Sequence, residues 1–100
     1  MLKVISLLKR ADHLSKEAFD AWVVDEHIEF AKNLPGLRKY TVSVSVSDDS
    51  PFDSVNELYF DDEEARAAAF ATEFGKAAGA DAGAHTSQRV HVITTEHQQL

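Results

Sequence analysis

The run Ser15–Tyr40, SKEAFDAWVVDEHIEFAKNLPGLRKY, decides the fold: a long amphipathic helix, a hard stop at Pro35-Gly36, and a strand that sets off at once. Ser15 suits an N-cap, because its hydroxyl accepts an orphan backbone N–H of the first turn. Leu14 and Phe19 hold the two positions of a hydrophobic staple across that start. From Lys16 to Leu34 the apolar residues Phe19, Trp22, Val23, Phe30 and Leu34 recur at three- and four-residue steps, and Val24, Ile28 and Ala31 widen the face. At about 100° per residue, the widened face is centred close to His27. Asn33-Leu34-Pro35-Gly36 turns the chain, since the residue before proline is biased away from helix and glycine is free to take positive φ. From Leu37 the period becomes two, with Tyr40, Val42, Val44 and Val46 on one face and Lys39, Thr41, Ser43 and Ser45 on the other.

Outward from this stretch the remaining elements follow. Leu2–Leu8 is a strand with aliphatic residues on both pleat faces. Ser47–Asp53 is a polar hairpin loop and Ser54–Phe60 a third strand. Asp61-Asp62-Glu63-Glu64 starts a second helix as a capping box, aspartate at the N-cap and glutamate at N3, which explains four consecutive acids without a metal. Gly75 weakens that helix, which fades around Gly79-Ala80-Asp81; Asp81–Gln88 reads as a loop and Arg89–Thr95 as a fourth strand. The order β-α-β-β-α-β predicts one α+β domain over 1–100: a ferredoxin-like fold, two helices on one face of a four-stranded antiparallel sheet. Ile5, Leu7 and Ile93 cannot all share the helix-covered face with Val4, Leu8 and Val92, because neighbours alternate sides. Apolar residues on both faces predict a second sheet over the first, most simply in a symmetric homodimer.

Composition narrows the function classes. Net charge is −7, from 17 acidic against 10 basic residues, and the basic residues do not cluster, which disfavours nucleic acid. Without cysteine there is no disulfide framework, thiolate nucleophile or cysteine zinc site, a composition that fits a reducing cytoplasm. No apolar run approaches membrane-spanning length, and the first residues lack the pattern of a signal peptide. Phosphate loops and serine-hydrolase elbows have no matching pattern among the four glycines. His85, His91 and His97 are evenly spaced, but loop and tail placement of the first and last argues against zinc, and no metal site is expected.

His27 is the chemically suggestive residue. It reads either as a general acid or base in a dry pocket between helix and sheet, or as a core-edge histidine satisfied by a backbone carbonyl. Asp25, Glu26 and Glu29 are one or two residues away and do not face the ring, and Glu26 is expected at the rim. Trp22, Phe30, Tyr40, Phe70 and Phe74 either line a cavity for an aromatic or lactone-sized ligand or pack as plain core. Tyr40, at a strand start, is the one expected to keep its hydroxyl free.

Phe19, Trp22, His27, Ala31, Leu34-Pro35-Gly36-Leu37 and Tyr40 resemble the first-helix signature of the EthD family of dimeric α/β barrels, and Glu57-Leu58-Tyr59-Phe60-Asp61 and the Asp81 region resemble the rest of it. The superfamily includes methylmuconolactone isomerases and cofactor-free monooxygenases, and EthD itself is associated with ether degradation beside a haem-thiolate monooxygenase. The resemblance implies a homodimer whose sheets close into a barrel, no cofactor, a catalytic role for His27, and Asp81 among the ligand-binding residues. His85 stands where the family carries an aromatic residue. Two functions follow as expectations. One is a cofactor-independent catabolic enzyme (an isomerase, proton-transfer enzyme or lyase) acting on a small hydrophobic cyclic or aromatic compound. The other is a non-catalytic accessory protein that holds such a ligand for a monooxygenase system.

Overall fold

The computed structural model describes residues 1–100. β1 (Leu2–Arg10) lies between β3 (Ser54–Phe60) and β4 (Thr86–Thr95), and β2 (Lys39–Val44) forms the far edge, giving the order β2-β3-β1-β4 with every pair antiparallel. This is the ferredoxin-like α+β sheet that the element order predicts. Its helical face carries Val4, Ser6 and Leu8 of β1, all buried, and Asn56, Leu58 and Phe60 of β3. Register corrects one detail of the sequence reading. Val4 is paired with Ile93 and Ile5 with Val92, so Ile93 belongs to the helical face and Val92 to the open one. Alternation fixes neighbours within a strand; which of them faces the helices depends on pairing with β1, which no local pattern reveals. The open face still carries Ile5, Leu7, Val55, Val90 and Val92, the last 44% exposed.

The first helix starts as expected. Ser15 accepts from the Ala18 backbone N–H at 3.1 Å, and Leu14 packs against the cluster containing Phe19. It does not run on unbroken to Leu34. α1 (Lys16–Ala21) passes into a π-turn at Trp22–Glu26, where the His27 N–H donates to the Trp22 carbonyl at 2.9 Å, and then into α2 (Ile28–Ala31). In a regular α-helix residues five apart lie roughly 140° apart around the axis, whereas an i→i+5 bond stacks them on one side. The π-turn therefore keeps Trp22 and His27 both buried, and turns Val24 and Ile28 outward instead of widening the apolar face. Gly36 then takes φ +77° at the turn, a conformation costly for residues with a Cβ.

The second helical stretch differs in three places. Asp62, not Asp61, caps α3 (Glu63–Phe70), accepting from Ala65 N–H at 2.8 Å, so N3 is alanine and the box has no glutamate; Asp61 pairs with Arg38 at 2.8 Å instead. The helix breaks at Ala71-Thr72, and Thr72 caps α4 (Glu73–His85) by accepting from Gly75 N–H at 3.2 Å. α4 then continues through the segment read as a loop, and β4 begins three residues earlier than expected, at Thr86. Alanines 77, 78, 80, 82 and 84 outweigh Gly79 and Gly83, and the last turn is closed by His85 Nδ1, which donates to the Asp81 carbonyl at 2.7 Å.

Two buried clusters hold sheet and helices together. Val4, Leu34, Leu58, Phe60 and Ala69 form one; Leu8, Phe19, Trp22, Val23 and Ala82 form the other. The core is divided, and the space between its halves is the site.

Candidate functional site

A cavity of about 220 Å³ lies between the clusters, floored by Val4, Ser6, Leu8, Asn56 and Leu58 of the sheet and walled by His27, Ala31 and Leu34 on one side and Ala78, Gly79 and Ala82 on the other. On the scale where an engineered apolar cavity of about 150 Å³ admits benzene, this one takes a substituted ring. Its apolar lining with few polar groups is the usual composition of a small-molecule site.

His27 reaches this cavity because the π-turn rotates it inward, and it is held by a residue 54 positions away. Its Nδ1 is 2.8 Å from Asp81 Oδ2 on α4, and the Trp22 Nε1–H donates to the same oxygen at 3.1 Å. A carboxylate can only accept, so Nδ1 carries a proton, and in the neutral ring Nε2 is the nitrogen with the lone pair, with no partner in the protein. The His85 ring stacks on Trp22 with centroids 4.2 Å apart and planes 9° apart, which fixes the indole whose N–H holds Asp81. His85 lies at the end of a helix rather than in the loop the sequence suggests. The ring of His27 is oriented by carboxylate and indole together, so its partner is a side chain and not the backbone carbonyl expected of a core-edge histidine.

On the sheet side of the cavity, Tyr40 and Asn56 present polar atoms without partners: the Tyr40 hydroxyl and Asn56 Oδ1 are buried and make no hydrogen bond. Burial pushes the Tyr40 phenol up to about 12, so it remains a donor at any physiological pH. Such atoms cost free energy unless a ligand completes them.

Of the residues singled out from the sequence, His27, Tyr40 and Phe70 line the cavity. Trp22 and Asp81 stand directly behind His27 and position it rather than lining the space. Phe30 and Phe74 are 36% and 52% exposed and are not on the wall, so for these two neither the lining nor the plain-core expectation holds. Glu26 is exposed, as expected for a rim residue. Sequence reasoning passed over Asn56, Arg66 and Arg89, whose only signal was a polar residue on an inward-facing strand position or a basic one among acids.

Comparison with known proteins accords with this architecture. A solved EthD-family protein from Bacillus halodurans superposes with a TM-score of 0.84 at 32% identity, over 97% of this chain and 99% of that one. A dimeric ferredoxin-like protein of unknown function from Thermobifida fusca matches at TM-score 0.78 and 18% identity, over 95% of this chain and 90% of that one. SnoaB, a cofactor-independent oxygenase from Streptomyces nogalater, matches at TM-score 0.75 and 19% identity, over 99% and 95%. At these lower identities the likeness is one of fold. No functionally curated protein matches the chain, and no helix is long and apolar enough to cross a membrane. The EthD domain model fits residues 11–88, which takes in the N-cap, the π-turn, His27 and Asp81, and the chain belongs to the EthD family.

Proposed function

We propose that this protein is a cofactor-independent enzyme that moves a proton on a hydrophobic cyclic or aromatic compound, with His27 as the base. The observation that carries the reading is the part-buried Asp81–His27 pair at 2.8 Å with Nε2 left free at the cavity wall. A ring carbon beside a carbonyl gives its proton to Nε2 while the Tyr40 hydroxyl donates to the carbonyl oxygen as it becomes an enolate. Asp81 stabilises the imidazolium, which returns the proton to another carbon of the same π-system, so that the product is an isomer. No redox step is required. The accessory-protein alternative shares the cavity but not the need for an oriented base.

Both readings predict binding, so the test must register proton transfer. With 2-tetralone as a cyclic ketone in D₂O, the protein should accelerate deuterium uptake at the carbon next to the carbonyl. His27→Gln should remove that acceleration, about 10²–10⁴-fold, while ketone affinity followed by NMR titration changes little. Equal exchange with the parent and with His27→Gln would show that the histidine moves no proton and would leave the accessory reading.

The working unit in this proposal is a homodimer whose open sheet faces cover one another. The apolar stripe of Ile5, Leu7, Val55, Val90 and Val92 supports it, as does the dimeric description of two structural neighbours. Sedimentation at micromolar concentration should give twice the 11.1 kDa subunit mass, and a stable single subunit would remove the dimer from the proposal. The setting we assign is catabolism in the cytoplasm, with a monooxygenase system supplying the intermediate. The family's link to ether degradation and the cysteine-free, acidic composition support that setting.

A further inference from the structure

On β4 the cavity is lined by the exposed residues Arg89, His91 and Ile93, which form its rim, and Arg66 joins them from α3. In a chain of net charge −7, the pairing of the arginines is informative. Arg10 is bound to Asp48, Arg38 to Asp61 and Arg66 to Glu63. Arg89 has no carboxylate within 4.0 Å, and its side chain makes one hydrogen bond, from Nη1 to the Gly79 carbonyl at 3.3 Å. Arg66 uses Nε and Nη2 on Glu63, at 2.7 and 2.5 Å, and keeps Nη1 free. Partial desolvation at the cavity edge and the two neighbouring guanidinium groups both disfavour the charged form of the His91 ring, so it does not add to the positive charge of the arginines.

The rim therefore has two arginines and one carboxylate, a surplus of one positive charge, beside a mainly apolar chamber. A surplus of one suits a monoanion, and a guanidinium fork matches the geometry of a carboxylate. Resting on the reading of the cavity as the site of proton transfer, we propose that the ligand is a ring compound bearing a carboxylate, its acid group held at the rim by Arg89 and Arg66 and its ring directed inward to His27. The acid anchors the ring, and the interior donor of Tyr40 is left for a second oxygen.

The probe pair is 4-methylbenzoate and its neutral isostere 4-methylbenzamide, titrated against ¹⁵N-labelled protein. The acid should bind at least about 10-fold more tightly than the amide at low salt, and shift the amides of β4 and α3. Arg89→Gln should erase most of that preference and Arg66→Gln part of it, while amide affinity is unchanged in both. Equal affinity for acid and amide, or an acid preference indifferent to both substitutions, overturns the anionic anchor and leaves the proton-transfer reading standing. No binding of either compound overturns both. Acid bound through the arginines by a protein that fails the deuterium test keeps the anchor and sinks the catalyst.

Discussion

Replacing Asp81 by alanine should cost about 2–5 kcal/mol of stability, because it leaves two buried donors, the Trp22 indole N–H and the His27 Nδ1–H, without their acceptor. Asp81→Asn should behave differently. Its amide oxygen can still accept from both, so the fold should lose only about 1 kcal/mol, measured by urea unfolding. The charge that favours an imidazolium is gone, however, and an amide NH₂ turned toward the ring would move the proton to Nε2 and block the base. Deuterium exchange should then fall by about 10²–10⁴-fold. The tautomer gives a readout independent of any substrate. In the parent, ¹⁵N spectra of labelled histidine should show His27 protonated at Nδ1 when neutral. A neutral ring protonated at Nε2 in the parent would break the mechanism at its first step.

Gly75→Ala should be the most damaging single methyl in the chain. A Cβ there would stand 2.5 Å from the Phe70 carbonyl oxygen and 2.6 Å from the Phe70 Cα. These are backbone atoms, so no rotamer change relieves the contact, and the corner between α3 and α4 must open. A loss of about 3 kcal/mol is expected, a large part of the stability of a domain this size. Since Phe70 is a cavity wall and α4 carries Asp81, ligand affinity should fall with it. Gly79→Ala is the control: its Cβ would meet nothing within 4 Å, and inside α4 it should stabilise by about 0.5–1 kcal/mol. Equal effects from the two substitutions in urea unfolding would show that the corner is not as tight as described.

Much of this was legible in the sequence because it is local. Ser15, the staple of Leu14 and Phe19 and the Pro35-Gly36 stop each act within a few residues, and each is found where the chain predicts it; the alternation from Tyr40 holds as far as Val44, where β2 ends, and leaves the exposed Val46 outside the strand. The misses are of another kind. The length of α4 was hidden by Gly79 and Gly83, which punctuate as in a loop; packing of Ala78 and Ala82 against the core holds the helix together there. Asp62 rather than Asp61 as cap depends on Arg38, a residue on another element. The partner of His27 lies 54 residues away, so no spacing rule reaches it; only the family resemblance pointed toward Asp81. Asn56 and Tyr40 come together only because strand pairing places both on the sheet face that floors the cavity.

A homologue that lacked one residue between Trp22 and His27 would wind that turn as ordinary α-helix, with its tryptophan and histidine four apart and still on one side. The deletion would leave the imidazole facing the same carboxylate and the downstream side chains in register, because the π-turn is what absorbs the extra residue. A chain of the same length that wound the turn as α-helix would instead carry the two rings roughly 140° apart and turn the histidine away from α4. A one-residue gap within Val23–Glu26 is therefore a neutral difference between relatives so far as this imidazole is concerned.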